Sequence, residues 1–193
     1  MRIIAGTARG RRLVTPARGS GAQSIRPTAD RAREALFSII GAEVMGGAVL
    51  DLFAGTGALA LEALSRGAAS ALLVDRGHQA LEIVRRNIAL CGFADRALVL
   101  KRDLARGLAP LRQAAPPTGF DLVFLDPPYG QGLGQQVLAE LADSGLVAPA
   151  GLVVAEEASG AVFADRYGGL VLRDHRRYGD TGFWLFRPES PRR

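Results

Sequence analysis

The chain has 193 residues, 48% apolar and 22% charged, which is one domain's worth of material and enough to bury a real core. No stretch approaches ~18 consecutive apolar residues, so no membrane span is expected. A single cysteine, Cys91, excludes an internal disulfide, and with only His78 and His175 beside it an ordinary zinc site is excluded too, while the net charge of +5 points toward a polyanionic partner.

That charge is uneven. Residues 1–27 hold six arginines (Arg2, Arg9, Arg11, Arg12, Arg18 and Arg26) and no acid. Residues 2–14 alternate loosely, with Gly6 and Gly10 as turn signals, and predict a basic β-hairpin; residues 15–25 are small and polar and read as a loop. The expected organisation is therefore an appendage over 1–25 and one larger domain over 26–193. No apolar stretch ahead of a small-residue cleavage site is seen near the start, which with the cysteine count predicts a cytoplasmic protein. A basic arm on a nearly balanced body is the footprint of phosphate-backbone contact. Arg173, Arg176 and Arg177 add a second basic cluster near the end.

Thr28, after Pro27, is a candidate helix cap, and Ala32, Ala35, Leu36, Ile39 and Ile40 then recur at helical spacing. From there strands near 48–53, 71–75, 97–102, 121–126 and 151–156 alternate with helices near 57–66, 78–91, 104–112 and 133–143. Such alternation predicts an α/β fold, a doubly wound and mostly parallel sheet covered on both faces. Leu170–Arg173 and Phe183–Phe186 flank Gly179-Asp180-Thr181-Gly182 and predict a terminal antiparallel hairpin. His78, at a helix start, is expected to face solvent, and Cys91 to fill the core.

Two motifs carry chemistry. In the first, the apolar run Val49–Leu52 enters Phe53-Ala54-Gly55-Thr56-Gly57 and then an apolar helix. Gly55 and Gly57 allow close backbone approach to a ligand, and the helix start offers free N–H groups to an anion. Gly55, Gly57 and Ala60 also match the dinucleotide pattern, with Asp75 at the ribose-acid position. Asp51 inside the strand end does not suit a pyrophosphate, but it can accept from a cationic amino group. Asp103 ends the third strand. Three strand-end acids suit a ligand with an amino-acid end, a ribose and an adenine amino group, which describes S-adenosylmethionine.

The second motif is Asp126-Pro127-Pro128-Tyr129, after the apolar run Phe120–Leu125. A strand ending in Asp-Pro is also a common turn opening. Here, however, two prolines remove two donors and leave carbonyl oxygens unpaired. A carboxylate and a carbonyl can accept both hydrogens of an exocyclic amino group while the aromatic face stacks on a base.

The chain resembles the class I methyltransferases that carry an Asp-Pro-Pro-Tyr motif, and more closely the bacterial 16S rRNA guanine-N2 methyltransferase D family. The likeness rests on Met1–Gly6 with Arg9-Gly10-Arg11, on Arg26–Phe37, on Asp51–Gly57 with Leu61–Gly67, and on Asp126–Tyr129, where the family often has Phe in place of Tyr129. It implies a Rossmann-like sheet of seven strands with the terminal hairpin. It implies S-adenosylmethionine as cofactor without a metal, held by Asp51, Phe53, Ala54, Gly55, Gly57, Asp75 and Asp103, with Arg26 and Thr28 near its carboxylate. Asp126, Pro127, Pro128 and Tyr129 would act on the base. Arg2, Arg9, Arg11, Arg12, Arg18, Arg173, Arg176 and Arg177 would contact RNA. The expected partner is 16S rRNA in the small ribosomal subunit, met by a monomer. Three other readings stay open: an adenine-N6 methyltransferase using the same four residues, a nicotinamide-dependent reductase using Gly55, Gly57 and Asp75, and a non-catalytic RNA-binding module.

Overall fold

Apolar runs with no polar alternation become strands that must be covered on both faces. β1 (Ala48–Leu52), β2 (Ser70–Asp75), β4 (Phe120–Leu125) and most of β5 (Val147–Ala158) follow that rule. The computed structural model describes residues 1–16, 27–130 and 132–189, and only the backbone of 27–29. With β3 (Ala97–Lys101), β6 (Arg166–Tyr167), β7 (Leu170–Tyr178) and β8 (Thr181–Pro188), the described residues form one eight-stranded sheet, ordered β3-β2-β1-β4-β5-β8-β7-β6. β3, β2, β1, β4 and β5 are parallel; β8, β7 and β6 run antiparallel. The seven expected strands are present, and the two-residue β6 adds an eighth at the edge. Residues 170–188 turn over Gly179-Asp180 alone, since Tyr178 already pairs with Thr181.

Alternation sorts the side chains. Val49, Leu122, Phe124, Leu152, Val154, Phe183 and Leu185 face α1 (Pro27–Ile39), α3 (Ala58–Ser65) and α4 (His78–Cys91). Leu50, Leu52, Val123, Leu125, Val153, Trp184 and Phe186 face α5 (Leu133–Asp143). A short α2 (Gly41–Val44) leads into β1. Helix α1 starts at Pro27, which suits a first helical position, so Thr28 lies inside the first turn and not at the cap. Its buried stripe is Ala32, Leu36 and Phe37; Ile39 is exposed, and Ile40, just past the end of the helix, is buried. The helix expected at 104–112 is instead two 3-10 segments, Leu104–Arg106 and Ala109–Ala114. Gly107 at φ 103° and Pro110 break the α-helical ladder between them.

The N-terminal pairing is antiparallel but short. Arg2 and Arg12 form a single bridge, Ile3 N–H donates to the Arg11 carbonyl at 3.0 Å, and Gly10 N–H to the Ile3 carbonyl at 2.9 Å. Between these contacts the chain turns to the domain. Ile3, Ala8 and Leu13 are buried among the residues of α1 and α3. Glu62, fully buried on α3, accepts from Ile4 N–H at 2.7 Å and Ala5 N–H at 3.0 Å, and Arg66 Nε donates to it at 2.8 Å. The basic segment is thus mounted on the domain through buried apolar and polar contacts.

Candidate functional site

In this order of strands the crossovers from β1 and from β4 leave in opposite directions, which opens a crevice at their carboxyl ends. Both motifs lie there. β1 stops at Leu52, and Phe53 takes φ 67°, the one non-glycine residue with positive φ among the described residues. Backbone strain of this kind costs of order 1–3 kcal/mol and persists where the surroundings impose it. Here Ala54 N–H is held by the Val74 carbonyl at 2.9 Å and Gly57 N–H by the Ala54 carbonyl at 2.6 Å. Gly57, at φ 76°, opens α3, and a Cβ there would lie 3.0 Å from Leu73 Cδ2. At Gly55 a Cβ would meet only the Phe53 carbonyl, at 3.8 Å, so that side of the loop is open to a ligand.

Asp51 is 2% exposed, and its Oδ2 accepts Ala60 N–H at 3.2 Å. Burial pushes its carboxyl up to about 7 against that bond, and Asp75 and Glu156 add to the rise. Asp75 accepts Gly55 N–H at 3.0 Å on one oxygen and Gly77 N–H at 2.7 Å on the other. It therefore ties the glycine loop to the start of α4. Asp103 is held by its own turn: it accepts Ala105 N–H at 3.2 Å and lies 3.7 Å from Arg106 Nε.

Asp126 follows the last residue of β4, and its N–H reaches the Leu52 carbonyl of β1 at 3.4 Å. Its carboxyl stands well above the usual carboxylate range, through burial first and then through Glu156, Asp51 and Glu157. Pro127 is buried against the start of α5, where a Cβ on Gly134 would come within 3.2 Å of its ring. Tyr129 is half-buried, and its hydroxyl donates to Glu156 Oε1 at 3.0 Å. Burial, Glu156 and Asp126 hold its phenol far above the ordinary range.

Glu156 was not anticipated. Its carboxyl is pushed up to about 7 by burial, against the Tyr129 hydroxyl and Arg33. Arg33, 5% exposed on α1, donates to the Arg2 carbonyl at 2.5 Å and to Asp30 at 3.1 Å. The signal for Glu156 lies in the strand pattern. Another apolar run ends in an acid, and Leu125 pairs with Ala155, so Asp126 and Glu156 are the next residues on neighbouring strands.

The structure brings together Asp51, Asp75, Asp126 and Tyr129, with the backbone of Phe53, Ala54, Gly55 and Gly57. Arg18 and Arg26 lie outside the described residues, as does the side chain of Thr28. Arg2, Arg9, Arg11 and Arg12 are exposed on the N-terminal segment, and Arg173, Arg176 and Arg177 on β7, where Arg176 Nε donates to Asp174 at 2.8 Å. His78 is exposed, 3.6 Å from Glu82, and Cys91 is buried in the core. Among the described residues, no three His, Cys, Asp or Glu side chains are grouped to hold a metal, and no helix is long and apolar enough to cross a membrane.

A family model described as "Conserved hypothetical protein 95" matches residues 1–187. YlbH of Bacillus subtilis is 35% identical over 187 residues, 97% of this chain and 98% of its own length. Ribosomal RNA small subunit methyltransferase D of Escherichia coli is 36% identical over 156 residues, 81% of this chain and 74% of its own. The solved structure of Escherichia coli yhhF superposes with a TM-score of 0.81 at 31% identity, covering 99% of each chain.

Proposed function

Because the chain belongs to the Conserved hypothetical protein 95 family, that of ribosomal RNA small subunit methyltransferase D, we propose that it methylates the exocyclic N2 amino group of a guanine in 16S rRNA, using S-adenosylmethionine. One observation carries the reading: the Asp126–Tyr129 turn and the glycine loop with Asp51 and Asp75 share the crevice between β1 and β4. The methyltransferase named after the small ribosomal subunit supports rRNA as the substrate.

When bound, S-adenosylmethionine would supply a methyl activated by a cationic sulfonium sulfur, with a neutral thioether as the leaving group. The protein's part is then positioning and electrostatics. Asp51 accepts from the cationic amino group, and the backbone from Phe53 to Gly57 follows the methionine end. Asp75 takes the ribose hydroxyls and Asp103 the adenine amino group, with Arg26 and Thr28 at the carboxylate. Asp126 Oδ and the Pro127 carbonyl accept the two amino hydrogens and aim the nitrogen lone pair at the methyl. Pro128 shapes the turn. Tyr129 stacks on the base, worth ~1–3 kcal/mol, comparable to the few kcal/mol that extruding a base costs. Held this way, the amino nitrogen would be placed to take the methyl, and Asp126 and the Pro127 carbonyl would keep hold of its two protons until one passes to solvent.

The N-terminal segment, within residues 1–25, and the β7 arginines would contact RNA, and residues 26–193 would do the chemistry as a cytoplasmic monomer. The test is tritiated methyl transfer to small-subunit particles, naked 16S rRNA and DNA, with nucleoside analysis of the product. N2-methylguanosine from particles or rRNA is the expected result. N6-methyladenine would transfer the same four residues to another base, and no transfer at all would end the reading.

A further inference from the structure

Strand alternation places three acids on one face of the sheet. Asp51 follows Val49, Asp126 follows Leu122 and Phe124, and Glu156 follows Leu152 and Val154, and all five apolar residues belong to the core under α1 and α3. Asp51 is bonded to a backbone amide and Asp126 is open to the crevice. Glu156 differs from both. It sits one strand beyond Asp126, and a 3.0 Å hydrogen bond links it to the hydroxyl of Tyr129. Stacking on a base uses the ring face and has no need of that hydroxyl. We propose that Glu156 is a positioning residue for the transfer: it orients the Tyr129 ring through the hydroxyl and sets the charge against which Asp126 works.

This rests on the guanine-N2 reading given above. The Tyr129 ring hangs from a loop that follows two prolines, so the loop itself supplies few backbone bonds to hold it. The rigid strand β5, central in the sheet, supplies the missing anchor. A hydrogen bond to a charged acceptor is the stronger kind, and it costs the ring its rotation before any base arrives. The groups that face Glu156 are Tyr129 from the loop, Asp126 from β4, Asp51 from β1 and Arg33 from α1, while Glu157, next on its own strand, points to the other face and acts on it through charge alone. Of these Arg33 alone is cationic, and it stabilises the Glu156 carboxylate. Glu156 in turn raises the Asp126 carboxyl. Replacing the Glu156 carboxylate with an amide of the same size therefore lowers the pH at which Asp126 ionises.

The experiment compares the full-length chain with Glu156→Gln, Tyr129→Phe and the double variant, by methyl transfer to small-subunit particles between pH 5.5 and 9. Each single variant should lose roughly tenfold in kcat, the size of one hydrogen bond to a charged group, with adenosylhomocysteine affinity by calorimetry unchanged. The double variant should be no worse than the poorer single, because both remove the charge-assisted Tyr129–Glu156 bond, one by taking the donor and the other by taking the acceptor's charge. In Glu156→Gln the acid limb of the kcat profile should move to lower pH, which a merely structural residue would not do. A separate readout needs no substrate: in tyrosine-Cζ-labelled NMR of the unliganded protein, Glu156→Gln should move the Tyr129 line and leave those of Tyr167 and Tyr178 in place. Additive losses, an unmoved acid limb or an unmoved Tyr129 line would each overturn the proposal. If Glu156→Gln moves the Tyr129 line but the wild-type chain methylates no guanine, the proposed function is overturned instead and the Tyr129–Glu156 bond stands.

Discussion

The two sides of the crevice hold their carboxylates by opposite means. On the β1–β2 side the acids are satisfied by backbone N–H groups: Asp51 by Ala60, and Asp75 by Gly55 and Gly77. On the β4–β5 side Asp126 precedes two prolines with no N–H to give, and its neighbours are Glu156, Asp51 and Glu157. The first side is finished before a ligand binds, so it can recognise a cofactor with little rearrangement. Among the described residues the second is short of donors, and an amino group bearing two hydrogens would fill that want.

If that contrast is right, the largest effect belongs to the donor-poor side. Asp126→Asn should cut methyl transfer by about 10²–10³, the scale of losing one preorganised electrostatic contact, with adenosylhomocysteine affinity within twofold of wild type. A comparable loss of cofactor affinity would mean that the two sides are not separable. Next comes Asp75→Ala. It should weaken the cofactor by ~1.5–3 kcal/mol for each charge-assisted bond removed, and calorimetry with adenosylhomocysteine measures it. Tight binding of NADH in the same instrument would end the adenosylmethionine assignment.

Stability against pH gives a smaller and sharper test. Asp51 and Glu156 stand near 7 in the fold, against roughly 4 in an unfolded chain. Each binds its proton more tightly when folded, so the stability they contribute is complete below about pH 4 and is lost as pH rises through about 7. The melting temperature should accordingly fall between pH 5 and pH 8. Asp51→Asn should flatten that fall, recovering ~2–4 °C per kcal/mol at pH 8. A steeper fall in Asp51→Asn would show that the buried carboxylate is paired and not penalised. The smallest effect on chemistry is expected from Arg9, Arg11 and Arg12 replaced together by Ala. The salt dependence of particle binding should flatten by up to about 2–3 in logarithmic slope, while cofactor affinity stays constant. An unchanged slope and KM would move RNA recognition to Arg173, Arg176 and Arg177.

Much of the β1–β2 side is legible in the sequence because its signals are local. A strand, a glycine turn and an acid about 20 residues on are each read within a few positions, and β1, α3 and β2 appear where those signals put them. The Asp-Pro-Pro-Tyr turn was legible for the same reason. Glu156 was not, because Glu156-Glu157 after an apolar run reads as a strand leaving for solvent. Only the pairing of Leu125 with Ala155 turns Glu156 toward the site and Glu157 away. The 3-10 segments at 104–114 were misread because apolar spacing outweighed Gly107 and Pro110. The docking of residues 1–16 depends on Glu62, Ser65 and Asn87, which are polar, far along the chain and buried, so nothing near the arginines announces it.

Asn87 shows what that docking entails. Fully buried on α4, its carboxamide accepts Val14 N–H at 2.7 Å and donates to the Val14 carbonyl at 3.0 Å and to the Thr56 carbonyl at 2.9 Å. The partners of the N-terminal backbone lie 58 residues on for Ile4, 57 for Ala5 and 73 for Val14. During synthesis, then, residues 4–14 precede these partners and can meet them only after α3 and α4 have followed. A chain loses much speed by closing contacts across such distances. One side chain on α4 thus completes both the seating of Val14 and the bond that holds Thr56 of the glycine loop.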